Sequence, residues 1–374
     1  MNCIMEYSIL HFENATVETA LFTRGRREAH AIIHADCAGS FTGQWEAVNR
    51  ALTRLVEHYA GMRPVFRRYF FSDIRNQTPL ITIDRLCPTS CIQQPPLDGS
   101  KVALWVVLQE NPDFREVSPG VWEDSRGHLV FENPSQPGVS SFDATVADLD
   151  LVASELESRG ASLLDNCVRT WFMVHDIDNN YAGVVKGRNL VFDRKGLTHE
   201  THFITSTGIG GTPDDPGEVV SFNAICDTRL IPGQMRFVYG ASHLNPTIEY
   251  GVAFERGTVV DYGDRRHVYI SGTASIDNKG EIVHPGDIRK QTERMIENIS
   301  VLLEEAGCGR SDIAHLLVYL RDIADFHPVS SVFDELLPGV PRVLVLAPVC
   351  RPGWLVETEC IAIKELSNRE YPDF

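Results

Sequence analysis

The sequence has no long hydrophobic run and is poor in basic residues. Its apolar stretches fall short of the roughly 20 residues that span a bilayer, and residues 1–8 lack the basic and apolar segments of a secretory signal. Lys and Arg number 34 against 51 Asp and Glu, a formal charge of −17 that repels polyanions. These absences predict a cytoplasmic protein whose partners include neither nucleic acid nor membrane.

The cysteines show no pattern typical of a disulfide framework or a zinc site. There are nine, an odd number without a Cys-x-x-Cys pair, which fits reduced intracellular thiols. The closest pair, Cys87 and Cys91, lies near no histidine at ligand spacing. There is also no Gly-x-Ser-x-Gly elbow, so a serine hydrolase is disfavoured. We therefore expect no bound metal.

The 374 residues, of which 43% are hydrophobic, are enough for two or three globular domains, and one pattern recurs along them. Apolar stripes with helical spacing occupy residues 45–59, 146–156 and 288–303. Each stripe precedes a predicted strand, at residues 65–73, 167–176 and 315–322. Each unit then ends in a closing strand, at residues 101–109, 218–226 and 354–363. The repeat predicts three units, at residues 1–120, 121–240 and 241–374.

Each unit reads as hairpin strands, helix, strand, helix, strand. This succession predicts an α+β fold in which helices cover one face of a mixed sheet. In the first unit the second helix shrinks to the polar stretch at residues 75–77.

Candidate chemistry lies on the closing strand of the third unit. The two-residue period of a strand places Glu357 and Glu359 on one face. Like charges this close raise the pKa of at least one carboxyl, and burial raises it further, so one could act as a general acid. The alternative is a solvated strand face. Arg342 and Arg351 precede this strand and could hold an anion, although surface positions are the ordinary place for arginine.

The middle unit adds a second group of polar side chains. Tyr181 and Arg188 lie on a predicted helix at residues 180–192. The glycine-containing segment 206–211 follows, and it lacks the pattern of a phosphate-binding loop. We interpret this segment as a tight turn.

The order of these motifs resembles the reactive-intermediate deaminase (Rid, or YjgF) superfamily. The residues that carry the resemblance are the tract 271–276, the following amphipathic helix, the strand 318–322 and the apolar-Glu-x-Glu pattern at Glu357. The Cys350-Arg351 step before that glutamate is similar to one branch, the chorismatases. The order of Tyr181, Gly187-Arg188, 207–210 and Phe254-x-Arg256 is similar to the same branch.

The resemblance implies a fold and a reaction. The fold is α+β, with three fused Rid/YjgF-like (chorismate-mutase-like) units forming a pseudo-trimer that is a monomer or weak oligomer. The implied reaction cleaves the enolpyruvyl ether of chorismate, a small dianion, to pyruvate plus a hydroxybenzoate or a dihydroxycyclohexadiene carboxylate, without a cofactor. The site would lie where the second and third units meet, with Glu357 as the catalytic acid. The implied substrate-binding residues are Tyr181, Arg188, Arg342, Cys350 and Arg351.

Two alternatives remain open at this point. One is the imine or enamine deaminase activity that is commoner in the superfamily, which the fifteen-residue spacing of Arg342 and Glu357 supports. The other is a non-catalytic module that binds a small molecule, because a fold does not fix a function.

Overall fold

The computed structural model describes residues 5–132 and 136–374, apart from the side chain of Tyr250. The first unit forms a six-stranded mixed sheet with the strand order β1-β2-β3-β6-β4-β5. Its strands are β1 (Glu6–Phe12), β2 (Ala15–Phe22), β3 (Glu28–Ala35), β4 (Met62–Phe71), β5 (Thr89–Gln93) and β6 (Val102–Glu110). Edge strand β5 runs parallel to β4, and the other pairs are antiparallel.

The second and third sheets repeat this arrangement. The second comprises β7 (Arg115–Ser118), β8 (Val121–Glu123), β9 (His128–Glu132), β10 (Cys167–Val174), β11 (Thr205–Gly210) and β12 (Val220–Asp227). The third comprises β13 (Met235–Val238), β14 (Gly257–Asp261), β15 (Arg265–Ala274), β16 (Ile313–Leu320), β17 (Arg342–Leu346) and β18 (Val356–Glu365). Their orders, β7-β8-β9-β12-β10-β11 and β13-β14-β15-β18-β16-β17, match the first sheet position by position.

Seven α-helices accompany the sheets in the described residues. They are α1 (Phe41–His58), α2 (Ile74–Gln77), α3 (Ser141–Ser158), α4 (Leu163–Asn166), α5 (Ile177–Arg194), α6 (Ile288–Glu305) and α7 (Phe326–Leu336). The first helix of each unit, α1, α3 or α6, begins in the same way. Ser40, Ser140 and Asp287 each accept a hydrogen bond from a backbone N–H in the first turn. None of the helices in this part of the chain is long and apolar enough to cross a membrane.

The helices cover one face of each sheet, and the opposite faces meet in the centre of the molecule. There Trp105 of β6, Trp171 of β10 and His315 of β16 bring one aromatic side chain from each sheet together. The Trp105 ring lies 6.2 Å from the Trp171 ring and 4.3 Å from that of His315, centroid to centroid. The fused three-unit α+β architecture predicted from the sequence is confirmed.

One hydrogen bond recurs at each seam between sheets. Ser206, Thr89 and Arg342 occupy the same register position on edge strands β11, β5 and β17, each opposite the fifth residue from the end of the central strand. In each case the backbone N–H donates to a side chain of the next sheet. Ser206 N donates to Ser271 Oγ at 3.0 Å, Arg342 N to Glu18 Oε2 at 2.9 Å, and Thr89 N to Glu132. The seams are therefore pseudo-equivalent, and their differences show how each has diverged.

The segment 206–211 is not a tight turn, so that interpretation was wrong. Most of it forms β11, which pairs in parallel with β10. The glycines are required by close neighbours rather than by a bend. A Cβ on Gly208 would lie 2.6 Å from the Tyr181 ring, and one on Gly210 would lie 2.6 Å from Pro348.

Candidate active site

The predicted site residues converge on a small cavity at the seam between the second and third sheets. Its volume is about 30 Å³, with β11 and α5 on one side and β15, β18 and the segment before β18 on the other. Five of the six residues predicted from the sequence line it: Tyr181, Arg188, Cys350, Arg351 and Glu357. The remaining wall is formed by Ser206, Thr207, Gly208, Val252, Phe254, Arg256, Gly272, Ala274 and Trp354.

Glu357 is the carboxyl of this cavity. It occupies the second position of β18, opposite Tyr319 of β16, and its residue is only 3% exposed. Burial, reinforced by the nearby charge of Glu359, raises the pKa of Glu357 to about 8, although Arg169 and Arg256 act in the opposite direction. This carboxyl is therefore largely protonated at neutral pH and can donate a proton.

Glu359 has a different role. Its carboxylate accepts hydrogen bonds from Arg169 Nη2 at 2.6 Å and from Trp171 Nε1 at 2.6 Å, both on β10 of the second unit. Both glutamates are buried, so the alternative of a solvated strand face was wrong. The ion pair between units fixes a negative charge two residues from Glu357.

Two glycines make room for the functional side chains. A Cβ at Gly272 would lie 1.9 Å from Glu357 Oε1, so no other residue fits there without displacing the carboxyl. Gly272 lies in a β-bulge of β15, and its N–H donates to Thr207 Oγ1 of the second unit at 2.9 Å. Gly208 similarly accommodates the ring of Tyr181.

Three arginines give the cavity a positive lining. Arg188 reaches it from α5 and is 1% exposed, while Arg256 is 4% exposed and donates to the carbonyl oxygen of Asn245 at 3.0 Å. The Arg351 guanidinium lies 5.4 Å from the ring centroid of Trp354. With Glu357 protonated, no ionised acid on the cavity wall opposes these three cations. The site is suited to an anion with more than one acidic group.

Cys350 and Tyr181 both line the cavity, Tyr181 from α5 of the second unit and Cys350 from the segment before β18. Burial and the neighbouring Glu357 raise the pKa of the Cys350 thiol to about 12. Burial likewise raises the pKa of Tyr181. Both groups stay protonated at neutral pH, so they can position a substrate but are not activated nucleophiles.

Arg342 is the predicted substrate-binding residue that the structure does not bring to this cavity. It begins β17 at the seam with the first unit, where its guanidinium pairs with Asp334 and its N–H donates to Glu18. In the third unit, edge strand β17 lies at the seam with the first unit, whereas the Glu357 end of closing strand β18 lies at the seam with the second unit. The position equivalent to Arg342 beside Glu357 is therefore filled by Ser206 from the second unit.

Sequence reasoning assigned no role to Arg256, Thr207 or Gly272. All three lie in patterns that carry the resemblance: Phe254-x-Arg256, the segment 207–210 and the tract 271–276. Thr207 lies in the segment interpreted as a turn. Over residues 5–132 and 136–374, no group of three or more His, Cys, Asp or Glu side chains is placed to hold a metal ion.

Comparisons with known proteins agree with this architecture. The family described as Endoribonuclease L-PSP matches residues 257–364. A RutC family protein of Pyrococcus abyssi is 41% identical over 101 residues, which are 26% of this chain and 79% of that protein. The 3-aminoacrylate deaminase RutC of Acinetobacter baylyi is 32% identical over 97 residues, 25% of this chain and 77% of that protein.

The chain therefore belongs to the Rid/YjgF (L-PSP) family, through its third unit. The whole three-unit arrangement is similar to the crystal structure of a chorismatase. That similarity has a TM-score of 0.65 at 21% sequence identity and covers 80% of this chain and 92% of that one. It shows the shared fold of the three units.

Proposed function

We propose that this protein is a chorismatase-like enzyme that cleaves the enolpyruvyl ether of chorismate to pyruvate and a ring product. The observation that carries the proposal is the presence in one buried cavity of three arginines and of Glu357, a carboxyl whose pKa is raised by burial. A dianionic enol ether needs cations for its carboxylates and a proton for its methylene carbon. The chorismatase-like fold supports the same assignment.

In this mechanism Glu357 protonates the methylene carbon of the enolpyruvyl group and generates an oxocarbenium ion. Water or a ring hydroxyl then captures the ion, and the ether breaks down to release pyruvate. Arg188, Arg256 and Arg351 hold the two carboxylates, and Tyr181 donates a hydrogen bond to the substrate. General acid catalysis of this kind contributes roughly 10²- to 10⁴-fold in rate.

The substrate needs more room than the cavity provides. A volume of about 30 Å³ holds little more than a water molecule. A neighbouring cavity of about 360 Å³ shares Phe254 and Arg256 with it. We propose that these two side chains move when substrate binds, so that the ring occupies the larger space while the enolpyruvyl group reaches Glu357.

A second candidate is hydrolysis of an imine or enamine. The observation in its favour is the sequence similarity of the third unit to RutC-type proteins, one of which is a 3-aminoacrylate deaminase. The same protonated carboxyl could donate a proton to an enamine carbon. The spacing of Arg342 and Glu357 supported this reaction, but Arg342 lies at another seam and Ser206 occupies the equivalent position beside Glu357. Imine or enamine hydrolysis is therefore the second choice.

The test is incubation with chorismate in the absence of metal and nucleotide, following pyruvate release and the aromatic products. The wild type should release pyruvate, and Glu357→Gln should lose at least 100-fold in kcat. Glu13→Gln makes the same side-chain change in an exposed turn and is the matched control. If wild type released no pyruvate but hydrolysed 2-aminoacrylate, the second candidate would replace the first. Failure with both compounds would favour a binding module.

A further inference from the structure

The seam between the first and second sheets contains a groove of about 790 Å³. Its wall includes Ser221, the second residue of β12, which pairs with the penultimate residue of β10 just as Glu357 pairs with the penultimate residue of β16. Arg85 also lines it, twelve residues after Asp73, the spacing that separates Arg188 from Asp176. The groove is the pseudo-symmetric counterpart of the candidate active site.

The chemistry of the groove is the reverse of that of the active site. Four carboxylates line it, those of Glu132, Asp214, Asp215 and Glu218, against the guanidiniums of Arg75 and Arg85. Ser221 replaces the catalytic glutamate, so a bound molecule would meet no acid at that position. The groove would repel a dianion and attract a cation.

Both guanidiniums are already engaged with the protein. Arg85 pairs with Glu132 and with Glu116, whose oxygen lies 2.8 Å from the guanidinium. Arg75 donates to the main-chain oxygens of Asp214 and Asp215. These contacts hold the arginines away from the role of an anion clamp.

An independent observation points to a missing ligand. Ser90 lines the groove at the register position that Thr207 holds in the active site. Its residue is 5% exposed, and its hydroxyl has no hydrogen-bond partner among the described residues. A buried hydroxyl without a partner is costly and is usually satisfied by a ligand or water.

We propose that this groove is a second binding site that takes a small organic cation with several N–H donors, of the polyamine type. The volume exceeds what a single ion needs, and no metal-binding group of side chains occurs in the described residues. An extended ammonium chain can reach the carboxylates of Asp214 and Glu218 and place an N–H against Ser90. The ligand is bound and not converted.

Calorimetric titration of the full chain with spermidine tests the proposal. Saturable binding with one site is expected, and Glu218→Gln and Thr78→Lys should each weaken it at least tenfold. Thr78→Lys places a cation beside Asp214 near the surface. A loss of affinity in this variant cannot be attributed to a folding defect caused by changing the buried Glu218. Glu13→Gln, the charge-matched control, should change the affinity less than twofold.

Two outcomes would overturn the proposal. One is no saturable binding. The other is an equal loss in all three variants, which would show that spermidine only senses the net charge of −17. Glu357→Gln should bind spermidine like the wild type, so this result stands apart from that of the chorismate assay.

Discussion

Replacing Glu357 by glutamine should stabilise the protein at neutral pH while it abolishes catalysis. The pKa of this carboxyl is raised from its usual 4.5 to about 8 in the folded state. Between these values the folded protein binds a proton that the unfolded chain releases, so stability falls as pH rises through that window. Below pH 4.5 the penalty is absent, and above pH 8 it is complete.

The size of the effect follows from the shift. Each pKa unit corresponds to about 1.4 kcal/mol, so holding Glu357 protonated at pH 7 costs about 3 kcal/mol relative to the unfolded chain. Glutamine has the shape of the protonated carboxyl and does not ionise. The variant should therefore gain about 3 kcal/mol over wild type at pH 7 and less than about 1 kcal/mol at pH 5.

Urea denaturation of both proteins at pH 5, 7 and 8 measures this difference. Glu359→Gln is the matched control, because it removes a charge that is paired with Arg169 in the buried interior. It should destabilise the protein by about 3–5 kcal/mol, since it leaves the guanidinium without its counter-ion. If Glu357→Gln were no more stable than wild type at pH 7 and pH 8, the pKa of Glu357 would not be raised in the folded state, and its role as a proton donor would have to be abandoned.

Three further predictions concern catalysis on chorismate. The kcat/KM should fall tenfold per pH unit above about pH 8, as Glu357 loses its proton, and a flat profile between pH 7 and pH 10 would exclude this acid. Arg188→Ala should raise KM at least tenfold, because it removes a cation from the cavity. Arg342→Ala, at the seam between the third and first units, should leave kcat and KM within twofold of wild type. Equal effects of the two substitutions would place Arg342 in the site after all. Gly272→Ala should lower kcat at least tenfold because its Cβ displaces the Glu357 carboxyl. Gly43→Ala, whose Cβ would make only an ordinary contact with Ser40 Oγ at 3.5 Å, serves as the control in the same assay.

Periodicity predicted most of the fold. The stripe at residues 288–303 and the aligned central and closing strands were local signals, and each corresponds to an observed helix or strand within a few residues. The segment 206–211 was misread because glycine serves turns and close packing equally well. Only the position of Tyr181 across from Gly208 distinguishes the two uses, and that contact joins a strand to a distant helix.

The sequence predicted those site residues that lie in a recognisable pattern within a single unit. The strand pattern placed Glu357 beside Glu359, and the resemblance to the Rid superfamily selected Glu357 as the acid. The role of Arg188 came from the resemblance to chorismatases. Arg342 was misplaced because spacing along the chain does not tell which seam a strand edge faces. Arg169, which holds Glu359, was not singled out because its role depends on a partner 190 residues away.

The candidate active site takes its two walls from units joined by one polypeptide. In an assembly of separate chains, dilution would pull such walls apart and the site would exist only above a threshold concentration. Here the local concentration of one wall around the other is set by the connecting chain and does not change when the protein is diluted. Because the three units are encoded by different parts of one coding sequence, each seam can also mutate independently of the others. A substitution at Ser221 alters one groove and leaves the Glu357 cavity untouched, which allows one chain to keep an acid at one seam and a different chemistry at another.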